Sequence, residues 1–362
     1  MSAEKAPPAG RSKDAAPPPP TASAADLAEA AALSDRLRPR LERLLAGEPA
    51  VAVAVSGGRD SLALLILTAA FARGRAEPLR VAALSVDHGL RDGSRAEAES
   101  VAGHAAALGA ESALLVWEER EERSGNLQAA ARAARYRLMR AWRRAHGVGP
   151  LLTAHHREDV AETFLLRLAR GSGVDGLAGM AEETIEEAHD DPSAERPGPR
   201  LRLIRPLLET PGAALGAVCR AAGRAWIEDP SNADPRFDRA RARALAEPLA
   251  ALGLDAPRLA NTARAMARAR TALEEGTAAL LATAAAREEA LGLCRLALPP
   301  LARAPRELQL RALRACLRWV AAAPYPPRLD ALEAALDALL AAPAARTLGG
   351  CQIAPDGAEA AV

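Results

Sequence analysis

The chain has 362 residues, 49% of them apolar and 26% charged, with a formal net charge of +1. That length suits two or three domains with a sizeable aliphatic core, while the near-neutral balance excludes a general affinity for polyanions and leaves only local basic patches for such contacts. Four widely spaced cysteines without a CxxC argue against zinc, iron–sulfur and disulfide frameworks and fit a reducing compartment.

The first 25 residues, rich in Pro, Ala and Ser, read as a disordered tail and lack the apolar segment of a secretory signal. No run is long and apolar enough for a membrane span, so the expected location is the cytoplasm. The only lysines, Lys5 and Lys13, lie in this tail; the folded body has none for a phosphate loop or a Schiff base. Leu27, Leu33, Leu37, Leu41 and Leu45 predict a helix from about Asp26 to Ala46. "VAVAV" (51–55) predicts a buried parallel strand, and Asp60 to Arg73 a helix. A second strand is expected over 80–89, a helix over 95–108, a third strand over 113–117 and an amphipathic helix over 126–147, with Asn126 as its cap. A fourth strand, 151–156, leads into a helix ending near Ala169. Strand and helix alternate at intervals of roughly 30 residues, the pattern of a doubly wound parallel sheet, an α/β fold. Residues 181–200 are acidic, then Pro-rich, and read as an exposed insertion. From 213 to about 345 the chain is Ala-, Leu- and Arg-rich and reads as a smaller helical domain, with one candidate strand in the tail over 346–362. The catalytic domain is expected over 26–212.

Ligands of such sheets sit at the carboxyl ends of the strands. Three polar clusters fall there: Ser56-Gly57-Gly58, Asp87-His88 and His155-His156. The first belongs to "SGGRDS" (56–61), glycines and hydroxyls between a strand and a helix, where free N–H groups and the helix dipole suit a phosphate. GxxxxGK[ST] and GxGxxG are both absent. Charge neutralisation therefore falls to backbone N–H groups, arginine and Mg²⁺, with Asp60 as the metal-side or phosphate-side carboxylate.

"SGGRDS" resembles the PP-loop of the N-type ATP pyrophosphatases. Further blocks narrow the resemblance. They are "VDHGLRDGSRAEAE" (86–99), "NLQAAARAARYRLM" (126–139), "AHHREDVAETFLLRLARGSGVDGLAGM" (154–180), "RPLLETP" (205–211) and "WIEDPSNADPRFDRARAR" (226–243). In this order they resemble the tRNA(Ile)-lysidine synthetase family over roughly residues 45–250. The chain departs from the family pattern with Asp87 where Asn is usual, with Ala240 where Asn is usual, in the insertion at 181–200, and beyond residue 250. Longer members carry a further C-terminal domain, and the poor match beyond residue 250 leads to the expectation that this sequence holds at most its beginning.

The resemblance implies a ligase. ATP would adenylate the C2 oxygen of the wobble cytidine in the CAU-anticodon isoleucine tRNA, and the ε-amine of free L-lysine would displace AMP. Ser56, Gly57, Gly58, Arg59, Asp60 and Ser61 would hold the ATP phosphates, Arg59 through its backbone. Asp159 and Glu162, at i and i+3 on one helix face, would hold the lysine ammonium or take its proton, since an amine of pKa about 10.4 needs help to become a nucleophile. A solvated face paired with Arg157 or Arg167 is the alternative. Asp60, Arg132, Asp159 and Glu162 form the candidate catalytic set, with Arg135 beside Arg132 as a second phosphate candidate. Asp87, His88 and His156 are expected to line the substrate pocket, and His155 to be a satisfied, hydrogen-bonding group. Arg236, Arg239, Arg241 and Arg243 are the candidate tRNA contacts, and Trp226, Phe237 and Tyr136 the candidate stacking aromatics. The expected cofactors are ATP and Mg²⁺, and a homodimer is compatible with the family. The rivals are a PP-loop tRNA thiolase, disfavoured because no cysteine precedes Cys219, an amidotransferase-type synthetase without its glutaminase domain, and a non-catalytic nucleotide sensor that would leave Asp159 and Glu162 unexplained.

Overall fold

The structure is a computed structural model that describes residues 21–87, 94–117, 127–185, 201–228, 238–321, 327–341, 345–356 and 359–361. His88, Asn126, Arg236 and Phe237, the tail before residue 21 and the insertion from 186 to 200 lie outside the described residues. The chain divides into two compact units: residues 1–171 with 179–263, and residues 172–178 with 264–362.

The first unit carries a six-stranded sheet. Its strands are β1 (Ala50–Ala54), β2 (Arg80–Asp87), β3 (Glu111–Val116), β4 (Pro150–Leu152), β5 (Glu183–Ile185) and β6 (Arg202–Ile204). Their order is β3-β2-β1-β4-β6-β5, parallel throughout except for the antiparallel edge strand β5. The helices are α1 (Ala24–Leu44), α2 (Arg59–Arg73), α3 (Ser94–Ala107), α4 (Leu127–Ala145) and α5 (Arg157–Ala169). The short α6 (Val174–Leu177) belongs to the second unit. It is followed by α7 (Gly212–Ala221), α8 (Asp238–Ala244), α9 (Ala246–Ala251) and α10 (Ala256–Ala284).

Alternation along the strands puts helices on both faces. Val51 and Val53 of β1, with Val81 and Ala83 of β2, join the core formed by α1, α2, α3 and α7. Ala50 and Ala52, with Ala82 and Leu84, pack on the other face against Met139, Tyr136 and Trp142 of α4. Small alanines on that face leave room for α4's large side chains, a fit that near-continuous apolar strands permit. The central position of β1, buried on both faces, fixes the loop at its carboxyl end in the middle of the sheet edge where ligands bind.

Within residues 181–200, read from the sequence as an exposed insertion, β5 is ordered and pairs with β6. Arg202 anchors this edge with salt bridges to Glu183 (2.6 Å) and Glu48 (3.0 Å). A polar three-residue strand is a common way to end a sheet, because it blunts the open edge; its shortness and acidity hid it in the sequence.

The second unit contains α11 (Leu298–Arg303), α12 (Arg306–Ala321) and α13 (Leu329–Ala341). It also contains a five-stranded antiparallel sheet of β7 (Ala285–Glu288), β8 (Leu293–Ala297), β9 (Arg346–Leu348), β10 (Cys351–Asp356) and β11 (Glu359–Ala361), in the order β7-β8-β11-β10-β9. The sequence reading expected helices and a single candidate strand here. Leu296, Cys294, Ile353 and Ala360 turn inward onto Leu313, Leu317 and Leu336, so this unit has a core of its own. Arg311, itself buried, ties α12 to α6 through Asp175 (2.6 Å) and bonds Glu307 (2.8 Å).

Candidate active site

The loop between β1 and α2 is shaped by its own hydroxyls. Ser61 Oγ donates to the Gly58 carbonyl (2.9 Å), accepts the Ser56 N–H (3.1 Å) and lies 3.2 Å from Ser56 Oγ. These bonds curl the chain so that α2 starts at Arg59 with its first N–H groups pointing out of the loop. Gly57 has φ +82° and its carbonyl accepts the Ile227 N–H (3.0 Å). A Cβ on Gly57 would stand 2.8 Å from Ile227 Cδ1. Gly58 has φ −73°, and a Cβ there would meet nothing closer than 3.5 Å. Gly57→Ala is therefore expected to cost about 1–2 kcal/mol, the ordinary penalty for an L residue in the left-handed region, with weaker nucleotide binding; urea melts and ATP titration check both.

Beside the loop, α5 begins at the end of β4. The Asp159 carboxylate accepts the His156 N–H (3.0 Å) and so caps the helix start. His156 is buried, with Nε2 3.4 Å from Asp60 and 3.5 Å from Asp159, and Nδ1 2.8 Å from Glu158. Burial opposes its charge, but the bonds to Asp60 and Glu158 and the nearby Asp159 charge raise its pKa to about 10. Burial likewise acts to raise the Glu158 carboxyl, yet His156 and the Gly212 N–H (2.9 Å) hold it down at about 2. Asp60 is held below the ordinary carboxylate range, against burial, by His156 and by Arg59 Nε at 2.8 Å. The Arg59 side chain thus has a role at the loop beyond its backbone. His155 is the opposite case: burial depresses it to about 4, and Asp159 does not offset the burial and the neighbouring arginines. It lies 3.1 Å from Thr153 Oγ1 and is satisfied and neutral.

Asp159 and Glu162 share one face of α5, and both are buried. The partners considered from sequence, Arg157 and Arg167, are not the ones found. Glu162 Oε1 meets Arg243 Nε at 2.5 Å, and Asp159 Oδ1 lies 3.9 Å from Arg239 Nη1. Both arginines come from α8. Burial raises the Glu162 carboxyl, while Arg243 pulls it the other way without cancelling the rise. Arg241 points elsewhere and pairs with Asp238.

The loop, His156, Glu158, Glu162 and Arg243 open onto one cleft of about 1030 Å³, and Asp159 is not among its lining residues. Its polar wall includes Ser56, Asp60, Ser61, His156, Glu162 and Arg243; its apolar wall includes Leu165, Trp226, Ile227, Leu249 and Leu259. Asp87 ends β2 and is not among the lining residues, and neither is Arg132, whose guanidinium covers the Tyr136 ring at 5.1 Å. Arg135 is on the same helix; burial lowers its pKa. Of the candidate aromatics, Trp226 lines the cleft and Tyr136 packs in the core on the α4 side. Sequence reasoning missed Glu158 and the Ile227 clamp. An acid two residues after His156 was visible as a signal, but Ile227 gave none.

No cluster of three metal-ligating side chains exists among the described residues. One carboxylate, Asp60, beside the Ser56 and Ser61 hydroxyls fits Mg²⁺, which is commonly held by one or two carboxylates together with substrate phosphates.

Residues 32–249 match the PP-loop domain family. A tRNA(Ile)-lysidine synthase of Rhodopseudomonas palustris is 46% identical over 226 residues, 62% of this chain and 62% of that protein. One from Methylobacterium sp. strain 4-46 is 43% identical over 257 residues, 70% of this chain and 69% of its own length. The match thus spans less than two thirds of the first relative's length. Among solved structures, the U34-tRNA thiolase NcsA from Methanococcus maripaludis superimposes with a TM-score of 0.50 at 15% identity, over 68% of this chain and 80% of that one, a likeness of fold alone. A phosphate-type loop at the centre of a parallel sheet, with matches of this identity along that domain, settles the assignment: the chain belongs to the tRNA(Ile)-lysidine synthase family of PP-loop proteins.

Proposed function

We propose that this protein joins L-lysine to C2 of the wobble cytidine of the CAU-anticodon isoleucine tRNA at the expense of ATP, in the cytoplasm. The observation that carries the reading is the meeting, in one cleft, of the 56–61 loop and the buried Glu162, with buried Asp159 one turn earlier on the same helix face. A phosphate site alone would serve many reactions; a phosphate site beside two carboxylates serves one that also brings in an amine.

The chemistry runs in two balanced steps. The cytidine C2 oxygen attacks the α phosphorus, the α–β P–O bond breaks and pyrophosphate leaves. The lysine ε-nitrogen then attacks C2, the C2–O bond breaks, and AMP leaves with that oxygen. Backbone N–H groups of the loop and the start of α2 hold the phosphates, and protonated His156 adds positive charge beside Asp60. Mg²⁺, held at Asp60, would supply further charge neutralisation. Glu162 and Asp159 bind the ε-ammonium and receive its proton before attack. Arg239 and Arg241 are further proposed to meet tRNA phosphates, and Arg132, Asp87 and His88 to act at the edge of the site.

A sulfur-transfer reading finds little support at the loop. Cys219 lies beneath it, with Sγ 3.4 Å from the Arg59 carbonyl, and burial, then the Asp60 charge, pushes this thiol up to about 12. A thiol so held is not a nucleophile. The test is radiolabelled lysine with an unmodified isoleucine tRNA transcript bearing CAU, ATP and Mg²⁺. Label in the tRNA is expected; none from folded, ATP-binding protein would remove the reading.

A further inference from the structure

The acidic pair already holds cations. Glu162 is 6% exposed, and a carboxylate so placed is costly to leave alone. Arg243 meets it with Nε 2.5 Å from Oε1 and Nη2 3.5 Å from Oε2, occupying the acceptor positions that an incoming ammonium would use. The arginine is not buried with it: its side chain is 44% exposed and forms part of the cleft wall. The guanidinium can therefore swing to water or to a phosphate with little desolvation cost, while Glu162 cannot move out to follow it.

α8, which carries the arginine, is weakly anchored. It has seven residues and a single buried one, Ala242. Among the described residues its polar ties to α5 and its end are Arg243 to Glu162, Arg239 to Asp159 at 3.9 Å and the exposed Asp238 to Arg170 pair. Removing the first two leaves little to hold it on α5.

We propose that Arg243 is a resident counter-cation, displaced from Glu162 by the ε-ammonium of lysine, so that lysine binding and release of α8 are one event. This rests on the reading of Asp159 and Glu162 as the lysine site. A compact ammonium with three donors can bridge two carboxylates one helical turn apart, whereas the guanidinium engages Glu162 alone. Once displaced, Arg243 is free to neutralise a phosphate of the tRNA backbone. By linkage, a polyanion that draws Arg243 away strengthens lysine binding by the same factor that lysine strengthens its own.

The test is calorimetric titration of the full chain with lysine, without tRNA or ATP, for the wild type, R243Q and E162Q. Removing the competitor should tighten lysine binding about 3- to 10-fold in R243Q, as expected when a competing state is removed, and E162Q should abolish it. Unchanged or weaker binding by R243Q, with binding lost in E162Q, overturns displacement while the lysine site stands. Wild-type binding by E162Q removes the lysine site and the proposal with it. Should R243Q fail to fold, hydrogen exchange on the wild type decides. Faster exchange of the α8 amides at saturating lysine supports displacement, and unchanged or slower exchange overturns it.

Discussion

Asp60→Asn is expected to lower lysine- and tRNA-dependent pyrophosphate release by roughly 10²–10³-fold, the scale of losing one preorganised electrostatic group, with the protein still folded. The substitution preserves shape and can still accept from Arg59 Nε, 2.8 Å away. It places an amide with no charge opposite His156 Nε2, 3.4 Å away, so the imidazolium loses one counter-charge. It also removes the carboxylate that suits Mg²⁺ beside the triphosphate. The loss should fall on turnover more than on the lysine affinity, because Asp159 and Glu162 are untouched. Turnover within a few-fold of wild type would mean that charge at this position is not used.

The second large effect concerns His156. It sits among the Asp60, Glu158 and Asp159 carboxylates, and His156→Gln removes their shared cation. Breaking a buried pair costs roughly 3–5 kcal/mol. The Asp60 and Glu158 side chains are 32% and 38% exposed, so water screens part of this and about 2–3 kcal/mol is expected. The pH dependence has a definite sign. His156 is raised in the folded state to about 10, so its contribution is complete below the unfolded value of about 6.5 and vanishes as pH climbs through about 10. Glu158, lowered to about 2, contributes fully above its unfolded value of about 4.3 and loses that contribution as pH falls through about 2. Urea melts of wild type and His156→Gln, without nucleotide or Mg²⁺, should differ most between about pH 4.3 and 6.5, differ less as pH rises past neutrality, and converge above about pH 10. A constant difference across that range would show that the imidazole acts by packing alone.

Much of the first unit was legible because its signals are local. The apolar run 51–55, the glycine–serine turn and the 3.6-residue pattern after it place β1 and α2 within a residue of where they lie. The i, i+3 spacing put Asp159 and Glu162 on one face, and both are buried there. What completes the site comes from far along the chain: Arg243 on Glu162, Ile227 on Gly57, and the Gly212 N–H on Glu158. No spacing rule joins such pairs. Arg239, Arg241 and Arg243 read as candidate tRNA contacts, yet Arg239 and Arg243 reach the buried Asp159 and Glu162, for which the folded body has no lysine. The second sheet was illegible for another reason. Segments such as "AARE" (285–288) and "EAA" (359–361) are helix formers by composition, held as strands by their neighbours' ladder bonds and by a shared core.

The hydrogen bond from Ile227 to Gly57 has a consequence for synthesis. Chains fold as they leave the ribosome, N-terminal parts first. β1, α2 and β2 emerge early and can pair at once, but the turn between β1 and α2 has only its local serine bonds until Ile227 arrives to hold Gly57, and the acid pair stays without its arginines until α8 does. The nascent chain therefore carries an incomplete loop site through most of the translation of its first unit, and competence to bind ATP should appear late and abruptly, once the segment carrying Ile227 and α8 docks.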